Sequence, residues 1–226
     1  MTFQVEANTD PEVVRIFIIR HGQTDHNVKK ILQGHIDIDL NQTGWKQALL
    51  IGKAFLSLPV DSLVTSDLVR CQNTAKEIVQ HHPNAAVKVT PNLREREMGK
   101  VQGMYLKDAL EKYGENFRNL GELKLSLLAR INEEWEALIE SSRENNYKNV
   151  IVCTHGGVIT AFVNYLYGVM GYKLKDGLKA SDLKVPYNTS VTAIDVNKRT
   201  KKGTIQIFGD TGHLGKQLEV KDQLLR

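Results

Sequence analysis

Two apolar runs in opposite halves of the chain, residues 13–19 (VVRIFII) and residues 150–154 (VIVCT), each end in a histidine followed by glycine, as Arg20-His21-Gly22 and His155-Gly156-Gly157. Short runs of β-branched and aromatic residues broken by at most one charge read as buried strands. An open α/β sheet binds its ligands at the carboxyl ends of its strands. Two such strands on one sheet would therefore place two imidazoles side by side at one edge, and this constrains the fold more than any other feature. The first strand end also supplies a planar guanidinium that matches phosphate oxygens, an imidazole able to act as a nucleophile, and a glycine that lets the main chain approach a ligand. Together they point to a histidine that takes a phosphoryl group.

The remaining pattern supplies helices to cover such a sheet. A polar stretch over residues 23–39 has too few periodic apolar residues for a helix. Trp45, Ala48, Leu49, Gly52, Phe55 and Leu56 then recur at helical spacing, with Asn41 or Thr43 as the candidate cap. Residues 63–65 read as a short strand, and Ser66 as the cap of a helix whose apolar face is Leu68, Cys71, Ala75, Ile78 and Val79. Residues 87–89 look like another strand. Residues 91–121 are irregular apart from a short helix at about 107–113. Leu125, Leu128, Ile131, Trp135, Leu138 and Ile139 mark the longest amphipathic helix, with Glu133, Glu134, Glu136 and Glu140 expected on its solvated face. A helix over residues 158–167 follows His155, and residues 190–196 and 204–208 read as paired strands joined by the basic tip Lys198-Arg199-Thr200-Lys201-Lys202. Strands alternating with helices predict an α/β three-layer sandwich, a mostly parallel central sheet with helices on both faces and an antiparallel edge. Residues 1–12 are expected to form a flexible leader and residues 13–226 a single domain.

With 226 residues, 41% of them hydrophobic and 25% charged, the chain can bury one sizeable core, and its net charge of +4 is modest. The basic tip lacks the aromatic platform of a nucleic-acid site and is expected to be a solvated hairpin end. Cys71 and Cys153 lack metal spacing and read as reduced core residues of an intracellular protein. No signal peptide or bilayer-length apolar run is visible. The expected setting is the cytoplasm, with the nucleus compatible, and neither membrane nor nucleic acid is an expected partner. The oligomeric state is left open.

Several further residues carry candidate chemistry. Gln23, Thr24, Asn27, Gln33 and Gly34 follow His21 in a polar loop that either contacts a ligand or merely turns the chain. Arg70 lies in the first turn of a helix, where a cation is unfavourable unless an anion is bound there or an acid such as Asp67 pairs with it. Glu95 and Glu97 lie in a segment without regular structure, and either carboxyl could protonate a leaving alkoxide. Neither a His-Glu-x-x-His nor a Cys-x-x-Cys pattern occurs, so no metal and no cofactor are expected. His81 and His82 fit a helix end at the surface, and His26 and His35 fit the polar loop.

Taken in order, these residues resemble the histidine phosphatase superfamily, typified by cofactor-dependent phosphoglycerate mutases, over about residues 15–214. Arg20-His21-Gly22-Gln23-Thr24 with Asn27 is similar to the family's opening signature, whose histidine becomes phosphorylated. Gln33-Gly34, Asp39-Leu40 and Thr43-Gly44 resemble the loop and helix start that follow. Ser66-Asp67-Leu68 with Arg70 and Thr74-Ala75 is similar to the segment bearing a second phosphate-binding arginine. Leu93-Arg94-Glu95 with Gly99 and Gly103 resembles the proton-donor stretch, which assigns that role to Glu95 over Glu97. Thr154-His155-Gly156 matches the second histidine, and Asn188-Thr189-Ser190-Val191 and Gly209-Asp210 with His213-Leu214 resemble the closing segments. The mutases' paired-arginine segment is reduced here to Phe117-Arg118-Asn119-Leu120, which favours water as acceptor, whereas Gln102 stands where many of the phosphatases have glutamate. The resemblance lies nearest to short fungal broad-range phosphatases. It implies a phosphoglycerate mutase-like fold and a metal-independent phosphomonoesterase acting on small phosphorylated metabolites, with a phosphoglycerate mutase-type phosphotransferase as the alternative. His21, Glu95, His155, Arg20 and Arg70 would be catalytic, and Arg20, Asn27, Gln33, Gly34, Arg70, His155 and Gly156 would hold the substrate.

Overall fold

The computed structural model describes residues 6–215, and both apolar runs form strands at the centre of its sheet. In chain order the elements are β1 (Val13–Arg20), α1 (Asp25–Lys29), α2 (Gln42–Ala54), β2 (Ser62–Ser66), α3 (Val69–Val79), β3 (Ala86–Thr90), α4 (Leu106–Tyr113), α5 (Lys124–Glu144), β4 (Asn149–Thr154), α6 (Gly156–Gly168), β5 (Lys173–Leu174), β6 (Val191–Asn197) and β7 (Gly203–Asp210). The strands lie in the order β3-β2-β4-β1-β6-β7-β5. β1, β4, β2 and β3 are parallel, whereas β6 is antiparallel to both β1 and β7.

Alternation along β1 decides which helices cover which face. Val14, Ile16 and Ile18 share one face with Val150 and Val152 and pack against Ile131, Trp135, Val158 and Phe162 of α5 and α6. Phe17 and Ile19 point the other way with Ile151 and Cys153, against Ile51, Phe55, Cys71 and Ile78 on the α2 and α3 side. Ile16, Ile19 and Ile151 are fully buried, each stabilising the fold by roughly 1.5–3 kcal/mol. A smaller cluster of Leu32, Val101, Leu106, Ala109 and Phe117 ties the loop after β1 to the irregular segment around α4. Among the described residues no helix is long and apolar enough to cross a membrane.

Local departures from the sequence expectations have identifiable causes. The stretch after β1 does hold a helix, α1, closed by a reciprocal Thr24–Asn27 cap. None of its residues is buried, so no apolar period marks it. Ser66 ends β2 instead of capping α3, whose Val69 N–H donates 2.7 Å to Asp37 Oδ1 from a distant loop. Leu49, Leu56 and Leu125 are exposed, while Glu134, expected in solvent, is buried with its carboxylate accepting from Lys88 Nζ at 2.5 Å and Thr90 Oγ1 at 3.1 Å. Lys198 of the basic tip is also buried, its Nζ donating to the Tyr147 carbonyl at 3.2 Å. Of the expected leader, residues 1–5 lie outside the described residues. Asn8 is buried, donating through its N–H to Asn149 Oδ1 at 2.7 Å and through Nδ2 to the Val13 carbonyl at 2.8 Å.

Candidate active site

The last pair of the β1–β4 ladder is Arg20–Thr154, and one residue further on the two histidines stand together. The His21 N–H donates to the Thr154 carbonyl at 2.9 Å, and the two imidazole centroids are 5.2 Å apart with the rings tilted by 58°. From the other side, the Thr189 N–H donates to the Arg20 carbonyl and Asn188 Nδ2 to the His21 carbonyl, each at 2.9 Å. Gly22 permits the close packing that follows, because a Cβ there would lie 2.7 Å from the Gly44 carbonyl oxygen at the start of α2.

His21 Nδ1 lies 2.7 Å from the Gly22 carbonyl oxygen. A carbonyl only accepts, so Nδ1 carries the proton and Nε2 keeps its lone pair. Burial, then the charges of Arg70 and Arg20, hold this imidazole well below its ordinary pKa and therefore neutral at pH 7. A neutral imidazole with a fixed proton on Nδ1 is a nucleophile at Nε2.

Arg70 and His155 lie one layer deeper, both fully buried. Arg70 donates from Nε to His155 Nδ1 at 3.3 Å, from Nη1 to the Ile36 carbonyl at 2.8 Å and from Nη2 to the Gly34 carbonyl at 2.9 Å. These bonds use three of its five N–H groups. Asp67, the acid expected as an alternative partner, instead pairs with Arg94 at 2.6 Å. His155 Nδ1 accepts from Arg70, so Nε2–H donates to Ser66 Oγ at 3.0 Å. Burial first, then Arg70, His21 and Arg20, push the His155 pKa well down as well. Arg20 is buried, donating from Nη1 to the Pro186 carbonyl at 2.6 Å, and Gly156 makes room for it, since a Cβ there would lie 3.1 Å from Arg20 Nε.

The structure separates the two candidate carboxylates. Glu95 accepts from the Arg96 N–H at 2.9 Å and, from the first turn of α6, the Gly157 N–H at 3.0 Å. Glu97 turns away, its Oε1 accepting from the Gly99 N–H at 2.6 Å. Glu95 lines a cleft together with Arg20, His21, Asn27, Gln33, Gly34 and Gly156, whereas Glu97 does not. The Asn27 Oδ1 is committed to Thr24 and Asn188. Gly34, at φ 51°, leaves space for Gln102 Oε1, which accepts from the His35 N–H at 2.9 Å.

The cleft also takes in residues that the sequence did not assign to the substrate site. Ile31, Leu32, Met98, Phe117 and Val185 give it an apolar wall, and Arg96 and Arg118 add charge near its rim. They come from segments without periodicity. Phe117 and Arg118 belong to the shortened arginine segment, and only the proximity of Arg96 to Glu95 could have pointed to Arg96. His35 does not line the cleft but donates from Nε2 to the Glu95 carbonyl at 2.7 Å. Among the described residues no three His, Cys, Asp or Glu side chains converge to hold a metal ion.

Among solved structures, the fold is similar to a phosphoglycerate mutase from Bacillus anthracis, with a TM-score of 0.76 over 93% of this chain and 97% of that one at 22% identity. It is also similar to a mycobacterial glucosyl-3-phosphoglycerate phosphatase, with a TM-score of 0.74 over 88% and 100% of the two chains, again at 22% identity. Those likenesses concern the fold. Residues 16–207 match the family model of the histidine phosphatase superfamily, branch 1, and the chain belongs to that superfamily. Within it, the chain is 38% identical to the broad-specificity phosphatase YOR283W of Saccharomyces cerevisiae, covering 97% of this chain and 96% of the relative. It is 31% identical to a metal-independent phosphoserine phosphatase of Arabidopsis thaliana, over 92% and 87% of the two chains.

Proposed function

We propose that this protein is a metal-independent phosphomonoesterase that hydrolyses small phosphorylated metabolites through a phosphohistidine. The observation that carries the reading is the state of His21: neutral, proton fixed on Nδ1, and Nε2 left as a lone pair in the cleft that Glu95 shares. The relatives named as phosphatases support it.

In the first step His21 Nε2 attacks phosphorus, the ester P–O bond breaks, and protonated Glu95 delivers its proton to the leaving oxygen. An alcohol departs and an N–P bond remains. In the second step the Glu95 carboxylate takes a proton from water, the hydroxide attacks phosphorus, and the N–P bond breaks to release inorganic phosphate. Dividing one displacement into two lowers each barrier. Arg20 and the remaining N–H groups of Arg70 stabilise the charge spread over the phosphoryl oxygens. We assign His155 to the same task. A bound dianion opposes the burial and arginine charge that keep its imidazole neutral, and protonation would turn Nδ1 from the acceptor of the Arg70 Nε–H into a donor.

The test is an assay of phosphate release from a panel of phosphate monoesters by protein dialysed against EDTA. Phosphate release without added metal is the expected result, and activity that returns only with zinc or magnesium overturns it. Incubation with 3-phosphoglycerate and 2,3-bisphosphoglycerate separates the mutase alternative, which predicts isomerisation in place of phosphate release.

A further inference from the structure

We propose that Arg130 is a positioning residue for Glu95, clamping the main chain that carries the carboxylate into the cleft; the proposal rests on the reading of Glu95 as the leaving-group acid. Glu95 lies in a segment without helix or ladder to fix it, between the 3-10 turns at Pro91–Leu93 and Gly99–Val101. Its two carboxylate contacts, to the Arg96 and Gly157 N–H groups, form only if that backbone is held in place. Arg130, on α5, reaches across to do so. Its Nη1 donates to the Asn92 carbonyl at 2.7 Å and its Nη2 to the Glu95 carbonyl at 3.1 Å. On its other edge the guanidinium grips Glu122, with Nε to Oε1 at 2.7 Å and Nη2 to Oε2 at 2.9 Å.

Glu122 completes the clamp from the far side of the segment. Its N–H donates to the Glu97 carbonyl at 2.9 Å, its Oε2 accepts from the Glu97 N–H at 3.3 Å, and its carbonyl accepts from Arg96 Nε at 2.8 Å. Residues 92–97 are thus held on both sides of Glu95 by one guanidinium and its carboxylate partner. His35 shares the grip on the Glu95 carbonyl, so loss of Arg130 should misplace the carboxylate and not release it. The pair is largely buried, with side-chain exposures of 18% and 14%, and is not a solvated ion pair of little consequence. Lysine cannot replace it fully, because an ammonium lacks the planar fork that serves both carbonyls and the carboxylate together.

The experiment measures single-turnover phosphorylation of His21 by an alkyl phosphate and by p-nitrophenyl phosphate in Arg130→Gln, Arg130→Lys, Glu95→Gln and the Arg130→Gln/Glu95→Gln double variant. A displacement of about 1 Å costs on the order of a hundredfold in such geometry. Arg130→Gln should therefore lose about tenfold to a hundredfold on the alkyl ester and much less on the aryl ester, whose phenolate leaves without a proton. Arg130→Lys should fall between wild type and Arg130→Gln. In the double variant the second substitution should add little, because the group being positioned has gone. Equal losses on the two esters, no loss, or multiplied losses in the double variant are what a purely structural brace gives, and any of them overturns the proposal. If Arg130→Gln does not fold, Arg130→Lys decides by the same ester comparison. Glu95→Gln keeps the two readings apart. If it lacks leaving-group dependence, the acid assignment fails and takes this proposal with it. If it has that dependence while the Arg130 variants lack it, only the positioning role fails.

Discussion

The Gly157 N–H donates to Glu95 Oε2 at 3.0 Å, while a Cβ on the same glycine would lie 2.4 Å from Glu95 Oε1. The first turn of α6 thus offers the carboxyl group a seat that only glycine leaves open. Gly157→Ala should displace the carboxylate and lower turnover of alkyl phosphates by about tenfold or more, with a smaller effect on phosphorylation by an aryl phosphate. Glu97→Gln should leave both nearly unchanged, because that carboxylate serves its own turn. A larger loss from Glu97→Gln would show that the wrong carboxylate has been assigned.

His21→Ala should abolish turnover, since among the described residues that line the cleft His21 alone carries an imidazole. Rapid quench of wild type followed by mass spectrometry should find the added phosphate on His21, attached at Nε2. Label on another residue, or an active alanine variant, contradicts the mechanism.

Arg70→Met should act on binding and stability together. It removes charge from the proposed phosphate site and leaves the buried Gly34 carbonyl without its donor, at roughly 1–3 kcal/mol, and the part-buried Ile36 carbonyl without its donor at a smaller cost. Urea unfolding and calorimetric titration with inorganic phosphate measure the two effects separately. Normal phosphate affinity with reduced stability would confine Arg70 to the scaffold.

The depressed histidines set the sign of the pH response. His21, His155 and His213 bind fewer protons folded than unfolded, so their contribution is complete above the unfolded value near 6.5 and is lost as pH falls towards each folded value. The slope is about 1.4 kcal/mol per pH unit for each imidazole inside its window. For His213, held down by burial, that window ends at about 4. Urea unfolding at a series of acid pH values should show wild type losing stability more steeply than His213→Gln. Parallel profiles would place the acid sensitivity elsewhere.

Much of the site was legible because its histidines end the most apolar strands. Runs such as residues 13–19 carry their own burial signal, and Arg70 declared itself as a cation in the first turn of a helix. What stayed hidden was long-range. Asp37 caps α3 from another loop, and Glu134 is buried because Lys88 and Thr90 of the neighbouring strand receive it. The apolar stripe of α5 departs from the predicted one at its start, where Leu125 is exposed and Leu127 is buried. Closely spaced leucines fit more than one helical phase, and only the packed sheet selects between them. The separation of Glu95 from Glu97 likewise depends on where the α6 backbone arrives.

The distance between the two imidazoles is fixed by the β1–β4 ladder and not by either loop, since the pairing runs in step from Arg15–Asn149 to Arg20–Thr154. Because side chains alternate across a strand, inserting one residue within β4 would carry His155 to the opposite face of the sheet. Lengthening an exposed turn far from the cleft, such as residues 82–85 between α3 and β3, leaves the spacing untouched. The histidine pair can therefore outlast extensive remodelling of the surface, yet it is intolerant of a single-codon insertion or deletion in either of two short core segments.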